Sequence, residues 1–314
     1  MGTDDDTASW LRRKWDSVRL ANPRALALVA LLTLLWGTNW PIVPIVVREI
    51  PVWTFRAIAT IGGGVILLGA ARVRGQPLAI PREYWLTVGA SAILHLAVWN
   101  VASTYSAILI PSGQAAVLSY TMPFWAALIT WAVFGQRPRG RMVLAIALAA
   151  AAVVLLMVPN FGVYARAPLG LALGLLAGLG WAVGTLIIKR RPPLTSATVL
   201  TGWQLLVGGL PIAIGALLFG DGRWFVPSTQ SIVVIAWVAL MPMALGNLCW
   251  FSIIELLPAN VAGLSSILVP VVALVSGAIV LGEPLGTPQW LAMACSVAAL
   301  SLSLTGGGSA KRSG

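Results

Sequence analysis

Residues 100–135 of the chain recur at 247–282 without a gap. Asn100, Leu109, Pro111, Ala115, Ser119, Pro123, Ala126, Val133 and Gly135 reappear as Asn247, Leu256, Pro258, Ala262, Ser266, Pro270, Ala273, Val280 and Gly282. That is nine identities over 36 positions at a constant offset of 147. Several are Pro, Asn or Gly, which apolar composition alone does not align. A chain that repeats itself at this distance folds as two copies of one unit. In membrane transporters built this way the substrate site lies between the copies.

Only 9% of the 314 residues are charged and 59% belong to the set AVILMFWYC. A water-soluble surface needs more charge than that, so the class is integral membrane. The excess of 20 Lys and Arg over 9 Asp and Glu does not indicate nucleic acid. The basic residues sit in short clusters between apolar runs, where membrane topology puts them. Cys249 and Cys295 lie inside apolar segments, as reduced core residues. No residue cluster calls for a metal or a cofactor. The polar stretch Met1–Asn22 leads directly into a full-length apolar helix, unlike a cleavable signal peptide.

About 20 mostly apolar residues cross the hydrocarbon core as a helix. Ten segments qualify, at 24–47, 52–71, 82–108, 112–134, 140–158, 168–188, 196–218, 229–254, 259–281 and 287–305. Turn residues separate them, as in Gly135-Gln136-Arg137-Pro138 and Gly282-Glu283-Pro284. Sixteen of the 20 Lys and Arg fall in the tails and alternate loops; Arg48, Arg56, Arg166 and Arg223 lie on the other side. Both termini are therefore expected in the cytoplasm, which requires an even number of crossings. Each repeat holds five helices, so the second enters the membrane from the opposite face. The expected fold is an all-α integral membrane protein with ten transmembrane helices in two inverted five-helix repeats around a central cavity. Its divisions are a tail at 1–23, repeats at 24–158 and 159–305, and a tail at 306–314. Trp10, Leu11, Trp15 and Val18 alternate with Arg12, Arg13 and Lys14 in the first tail, which reads equally as a helix on anionic lipid or a disordered basic tail.

Polar and large aromatic groups near the bilayer midplane must face protein or a water-filled cavity. The first segment supplies Trp36, Asn39 and Trp40, the third His95, Trp99 and Asn100, and the fourth Tyr120. Trp181, Gln204, Asn247, Trp250 and Ser265 follow in the second repeat. Of fifteen tryptophans, six lie near membrane surfaces, as an aromatic belt explains. Trp36, Trp40, Trp99, Trp125, Trp181, Trp203 and Trp250 lie deeper. Gathered around one cavity they would suit flat, apolar, aromatic or cationic solutes through stacking and cation–π contacts; singly, they read as packing. His95, the only histidine, reads either as a proton switch or as a neutral group bonded between helices. No pair of carboxylates lies near the midplane. Pro41, Pro44, Pro123, Pro242 and Pro270 free backbone carbonyls and mark bending points. Gly170, Gly174 and Gly178 form a ridge for close helix approach, within one chain or between two, leaving monomer and homodimer both open.

Several pieces together resemble the ten-helix EamA-type branch of the drug/metabolite transporter superfamily. They are Leu35-Trp36-Gly37-Thr38-Asn39, Phe55-Arg56, Pro123-Phe124-Trp125-Ala126-Ala127-Leu128, and Val269-Pro270-Val271-Val272-Ala273-Leu274 followed by Leu281-Gly282-Glu283. The resemblance covers about 24–305. It departs at Gln136 and Val269, where the family often has Glu, and this weakens the case for generic proton antiport. The resemblance implies an exporter of small metabolites, often amino acids, in the inner membrane. The first four helices of each repeat would surround the cavity and the fifth and tenth would lie outside. It further implies Trp36, Asn39, Trp40, His95, Trp99, Tyr120, Trp181, Gln204, Asn247 and Trp250 as cavity residues, and the deep tryptophans suggest its aromatic-amino-acid exporters.

The function expected is therefore secondary transport by alternating access, with a small-molecule substrate and the lipid bilayer as partners. Asn39, Asn100, Gln204, Asn247 and the Ser265-Ser266 pair would fix polar groups of the solute. Phosphorylated solutes are disfavoured, since no basic residue reaches the midplane. Other amphipathic or cationic drugs and metabolites form the alternative cargo. An intramembrane hydrolase using Ser112 or Ser119 with His95 is disfavoured, because nothing marks an activated nucleophile or an oxyanion site.

Overall fold

The computed structural model describes residues 23–135, 140–157, 161–219, 227–256 and 268–305. Each of the ten apolar segments is helical over its described part. Helix α1 comes in two pieces, Pro23–Gly37 and Asn39–Val46, and α2 is Val52–Val73. Helix α3 spans Arg82–Leu109 and α4 comprises Ser112–Ser119 and Met122–Phe134. The rest are α5 (Gly140–Met157), α6 (Pro168–Arg190), α7 (Ala197–Phe219), α8 (Thr229–Leu256 in three pieces), α9 (Leu268–Leu281) and α10 (Thr287–Thr305). Seven of these elements are long and apolar enough to cross a bilayer by length and composition; α5 and α9 carry shorter apolar stretches.

The packing shows two inverted five-helix repeats around a centre. Nearly every large helix contact appears twice, with the repeats exchanged. Helix α6 lies on α3 as α1 lies on α8, and α6 lies on α4 as α1 lies on α9. The pairs α2 with α7 and α5 with α10 are each their own counterpart across the axis. Helices α5 and α10 pack mainly on each other and so stand apart from the central eight. Leu217, Ile279 and Val65 are among the exposed large apolar side chains on the outside, as a lipid-facing surface requires.

Lipid is as apolar as leucine, so close contact rather than the hydrophobic effect holds such helices together. The glycine ridge on α6 serves this purpose within the chain. A Cβ on Gly170 would meet Leu109, one on Gly174 would lie 2.8 Å from the Leu118 Cβ, and one on Gly178 would meet Thr121. The ridge is thus filled by α3 and α4 and offers no face to a second copy.

The repeated glycines end helices. Gly135 (φ 65°) and Gly282 (φ 68°) take left-handed backbone after α4 and α9, where a side chain would be strained. Two carboxylates then tie the repeats together on one face of the bundle. Glu283 accepts hydrogen bonds from the Ser112 amide and hydroxyl, both at 2.7 Å, and from the Gly113 amide at 3.1 Å at the start of α4. Glu49 accepts from the Ser228 amide at 2.7 Å, its hydroxyl at 2.8 Å and the Ser231 hydroxyl at the start of α8. Each carboxylate faces the positive end of a helix.

Candidate functional site

The site begins with two matched irregularities. Helix α3 is π-helical over Ile93–Val98 and α8 over Ala239–Gly246, close to the repeat offset. A π turn widens the helix and withdraws backbone donors from nearby carbonyls. An asparagine amide adds a side-chain donor beside each π stretch. Asn100 Nδ2 donates to Leu96 O at 2.9 Å, and Asn247 Nδ2 donates to Met243 O at 2.8 Å. Pro242, which brings no N–H of its own, has its carbonyl bonded by Trp36 Nε1 at 3.0 Å. Gly246 leaves room for that indole: a Cβ there would lie 2.3 Å from Trp36 Nε1.

Five of the seven deep tryptophans converge on this region. Trp181 is the hub, with ring centres 5.4 Å from Trp36, 5.1 Å from Trp99, 6.0 Å from Trp250 and 3.9 Å from His95. Trp40 extends the cluster to Trp99 at 6.1 Å and Tyr120 at 6.2 Å. Most contacts are edge-to-face, the arrangement the ring quadrupole favours. The other two deep tryptophans are elsewhere: Trp125 Nε1 bonds Thr121 Oγ1 at 3.2 Å and Trp203 Nε1 bonds Leu78 O at 2.7 Å.

A cavity opens between α1, α3, α4, α6 and α8. Its walls are Trp36, Asn39, Leu96, Trp99, Asn100, Tyr120, Trp181, Pro242, Met243 and Asn247. It has about 10 Å³ of free room, enough for one water. The described side chains around it leave too little room for an amino acid in this conformation. Several polar atoms there are buried without a partner: Asn39 Oδ1 and Asn100 Oδ1 as acceptors, Tyr120 Oη and Trp181 Nε1 as donors. Buried polar atoms are normally satisfied, so unpaired groups of both kinds make this cavity the candidate site.

Of the residues expected at the cavity, Trp40, His95, Gln204 and Trp250 do not line it. They pack in the layer around it. Gln204 Nε2 reaches Ser91 Oγ at 3.5 Å, and Ser91 in turn donates to Gly184 O at 2.9 Å. His95 is 1% exposed with neither ring nitrogen bonded, against Trp181 and the backbone near Gly184. Ser265 lies outside the described residues. Of the prolines, Pro242 lines the cavity from the π stretch, while Pro41 and Pro44 lie in the second piece of α1, Pro123 opens the second piece of α4 and Pro270 lies in α9. Among the described residues no group of His, Cys, Asp and Glu is placed to hold a metal ion.

The sequence reading missed Leu96 and Met243 in the cavity wall, because apolar residues in an apolar helix carry no signal. Arg56 stands near the start of α2, as its place in the second segment implies. The structure buries it to 2% exposure, with Nε donating to Thr104 Oγ1.

Ten helices in inverted repeats around a midplane cavity, with discontinuous helices at the centre, define a multi-pass membrane transporter. The profile of the EamA-like transporter family matches residues 23–158 and again 168–305, and the chain belongs to that family, within the drug/metabolite transporter superfamily. It is 25% identical over 270 residues to the uncharacterised transporter YvbV of Bacillus subtilis, covering 85% of this chain and 87% of the relative. It is 26% identical over 272 residues to the uncharacterised inner membrane transporter YedA of Escherichia coli, covering 86% and 87%. A probable amino-acid metabolite efflux pump of Escherichia coli is 24% identical over 295 residues, covering 89% and 94%. A crystal structure with 20% identity superposes at a TM-score of 0.68 over 89% of this chain and 96% of the other, which supports the fold.

Proposed function

We propose that the protein exports small amphipathic solutes that carry an ammonium group, aromatic amino acids foremost, by alternating access in the inner membrane. The observation that carries this reading is the cavity itself. Indole and phenol rings line it, and the amide oxygens of Asn39 and Asn100 are buried there without a donor. An ammonium supplies three N–H donors, and indole faces attract cations while stacking on flat apolar groups. The efflux pump among the relatives is named for amino-acid metabolites, which supports the same cargo class.

In this mechanism α1–α4 and α6–α9 rock about the cavity and bend at Pro41, Pro44, Pro123, Pro242 and Pro270. The two repeats are 24–158 and 159–305, and the tails at 1–23 and 306–314 lie in the cytoplasm. The carboxylates Glu49 and Glu283 then bind the outer face shut in the closed conformation. Asn247 holds the π turn opposite Asn100, while Trp40, His95, Gln204 and Trp250 support the wall from behind.

The test is uptake of labelled Phe, Trp, Leu and Lys into proteoliposomes, with and without a pH gradient. Saturable uptake of Phe and Trp is expected, with Lys excluded. Uptake of aromatic or quaternary amines in place of amino acids would favour the second reading, export of cationic drugs, which the indole faces also suit. No saturable uptake of either class by folded protein would overturn the cargo assignment.

A further inference from the structure

Arg56 is a cation inside the bundle with no carboxylate partner among the described residues. It is 2% exposed, Nε donates to Thr104 Oγ1, and Nη1 is buried without a partner. The Phe55 ring centre lies 5.1 Å from its guanidinium carbon, a modest compensation for lost water. A buried charge without a partner is costly, and such a residue in a membrane protein points to a ligand that arrives with the opposite charge.

The site already described is one turn away. Thr104 Oγ1 donates to Asn100 O at 2.5 Å, so Arg56, Thr104 and Asn100 form a chain of hydrogen bonds that ends on a cavity wall residue. Thr60 stands one turn along α2 from Arg56 on the same helical face, fully buried with Oγ1 unpartnered. Asn100, at the end of the hydrogen-bonded chain, carries the unpaired Oδ1. Acceptors for an ammonium and a donor for an anion therefore lie on neighbouring turns of α2 and α3.

We infer that Arg56 is the carboxylate subsite of the transporter, so that the solute is a zwitterion held by its carboxylate at the guanidinium and by its ammonium at the asparagine oxygens. This rests on the cargo reading above and narrows it: an amine without a carboxylate would lack one of its two anchors. A guanidinium with one N–H spent on Thr104 still presents further donors, and a carboxylate accepts two in parallel.

The experiment is equilibrium binding of labelled Phe to the purified protein, with phenethylamine and phenylpropionate as competitors lacking one charged group each. The variants are Arg56→Gln and Arg56→Lys, with melting curves to confirm folding. Arg56→Gln is expected to weaken Phe binding by about tenfold or more, as loss of a charge-assisted bond does, and to leave phenethylamine within twofold. Arg56→Lys is expected to recover part of the Phe affinity, and it keeps the test alive if Arg56→Gln fails to fold. Equal weakening of Phe and phenethylamine in a folded variant, or no change in either, would overturn the subsite. Wild-type protein that binds phenethylamine as tightly as Phe also overturns it, yet leaves the ammonium cargo standing. Wild-type protein that binds neither overturns both, and binding of phenylpropionate alone keeps Arg56 as an anion site while removing the ammonium reading.

Discussion

Asn100 and Asn247 each add a side-chain donor to a helix carbonyl. Their amides bond the carbonyls of Leu96 and Met243 beside the π turns, and Asn100 thereby leaves its oxygen to the cavity. Asn100→Leu or Asn247→Leu removes one side-chain hydrogen bond to a buried carbonyl. Each should cost about 0.5–1.5 kcal/mol, read as lost thermal stability in detergent. A melting point unchanged by both substitutions would mean that the π turns need no such support. His95 is the residue whose sequence reading most needed the structure. A proton switch must reach water or a partner, and here neither ring nitrogen is bonded and the ring lies 3.9 Å from Trp181. His95→Gln is therefore expected to leave the pH dependence of uptake between pH 5 and 8 unaltered; a flattened profile would restore the proton role. The asparagines were legible because polar groups deep in an apolar helix stand out. Arg56 was not, since its depth depends on where α2 begins relative to Thr104 on α3.

Helix ends and helix contacts belong to the next scale. The matched Gly135 and Gly282 take φ values of 65° and 68°, where an L side chain crowds its own backbone. Gly135→Ala and Gly282→Ala should each destabilise by about 1–2 kcal/mol, while alanine at an exposed helical position should not. Comparative melting of the three variants checks this. The glycines of α6 act differently, through the room they leave: Gly174→Val would drive a side chain into Leu118 and separate α6 from α4. At this scale the sequence was a good guide. Apolar length, punctuated by Pro, Gly and charge, set the segments to within a few residues of the helices wherever both ends are described; the start of the ninth, expected at 259, lies outside the described residues. The two π turns and the breaks at Thr38 and Tyr120–Thr121 were not legible, because no residue pattern separates i→i+5 bonding from i→i+4 in an apolar run.

On one face of the molecule Glu49 and Glu283 each link a loop of one repeat to a helix start of the other. The offset of 147 puts Ser196 and Gln136 at the corresponding positions of the opposite face, so only one face carries carboxylates there. Ser231 first, then Ser228, hold the Glu49 carboxyl below its ordinary value of 4.5. A carboxyl lowered on folding adds stability that is complete above its unfolded pKa and disappears as the pH falls through the lower folded value. The melting difference between wild type and Glu49→Gln should therefore hold steady from pH 7 to 5 and vanish in stronger acid; a difference that persists there would show that the carboxylate is not its source. Removing both charges, in Glu49→Gln with Glu283→Gln, should speed labelling by an impermeant maleimide of a cysteine placed at Leu96, and unchanged labelling would assign the closure to packing alone. The sequence by itself determined the repeat, the number of crossings, their inversion and the set of polar and aromatic groups at the midplane, because hydropathy, charge bias and internal identity are properties of a linear chain. Only the tertiary structure decided which of those groups meet. Helices that are apolar on every side carry no record of their rotation, so the meeting of Trp181 with Trp36 and Trp99, the retreat of His95 from the cavity and the burial of Arg56 follow from how the helices pack.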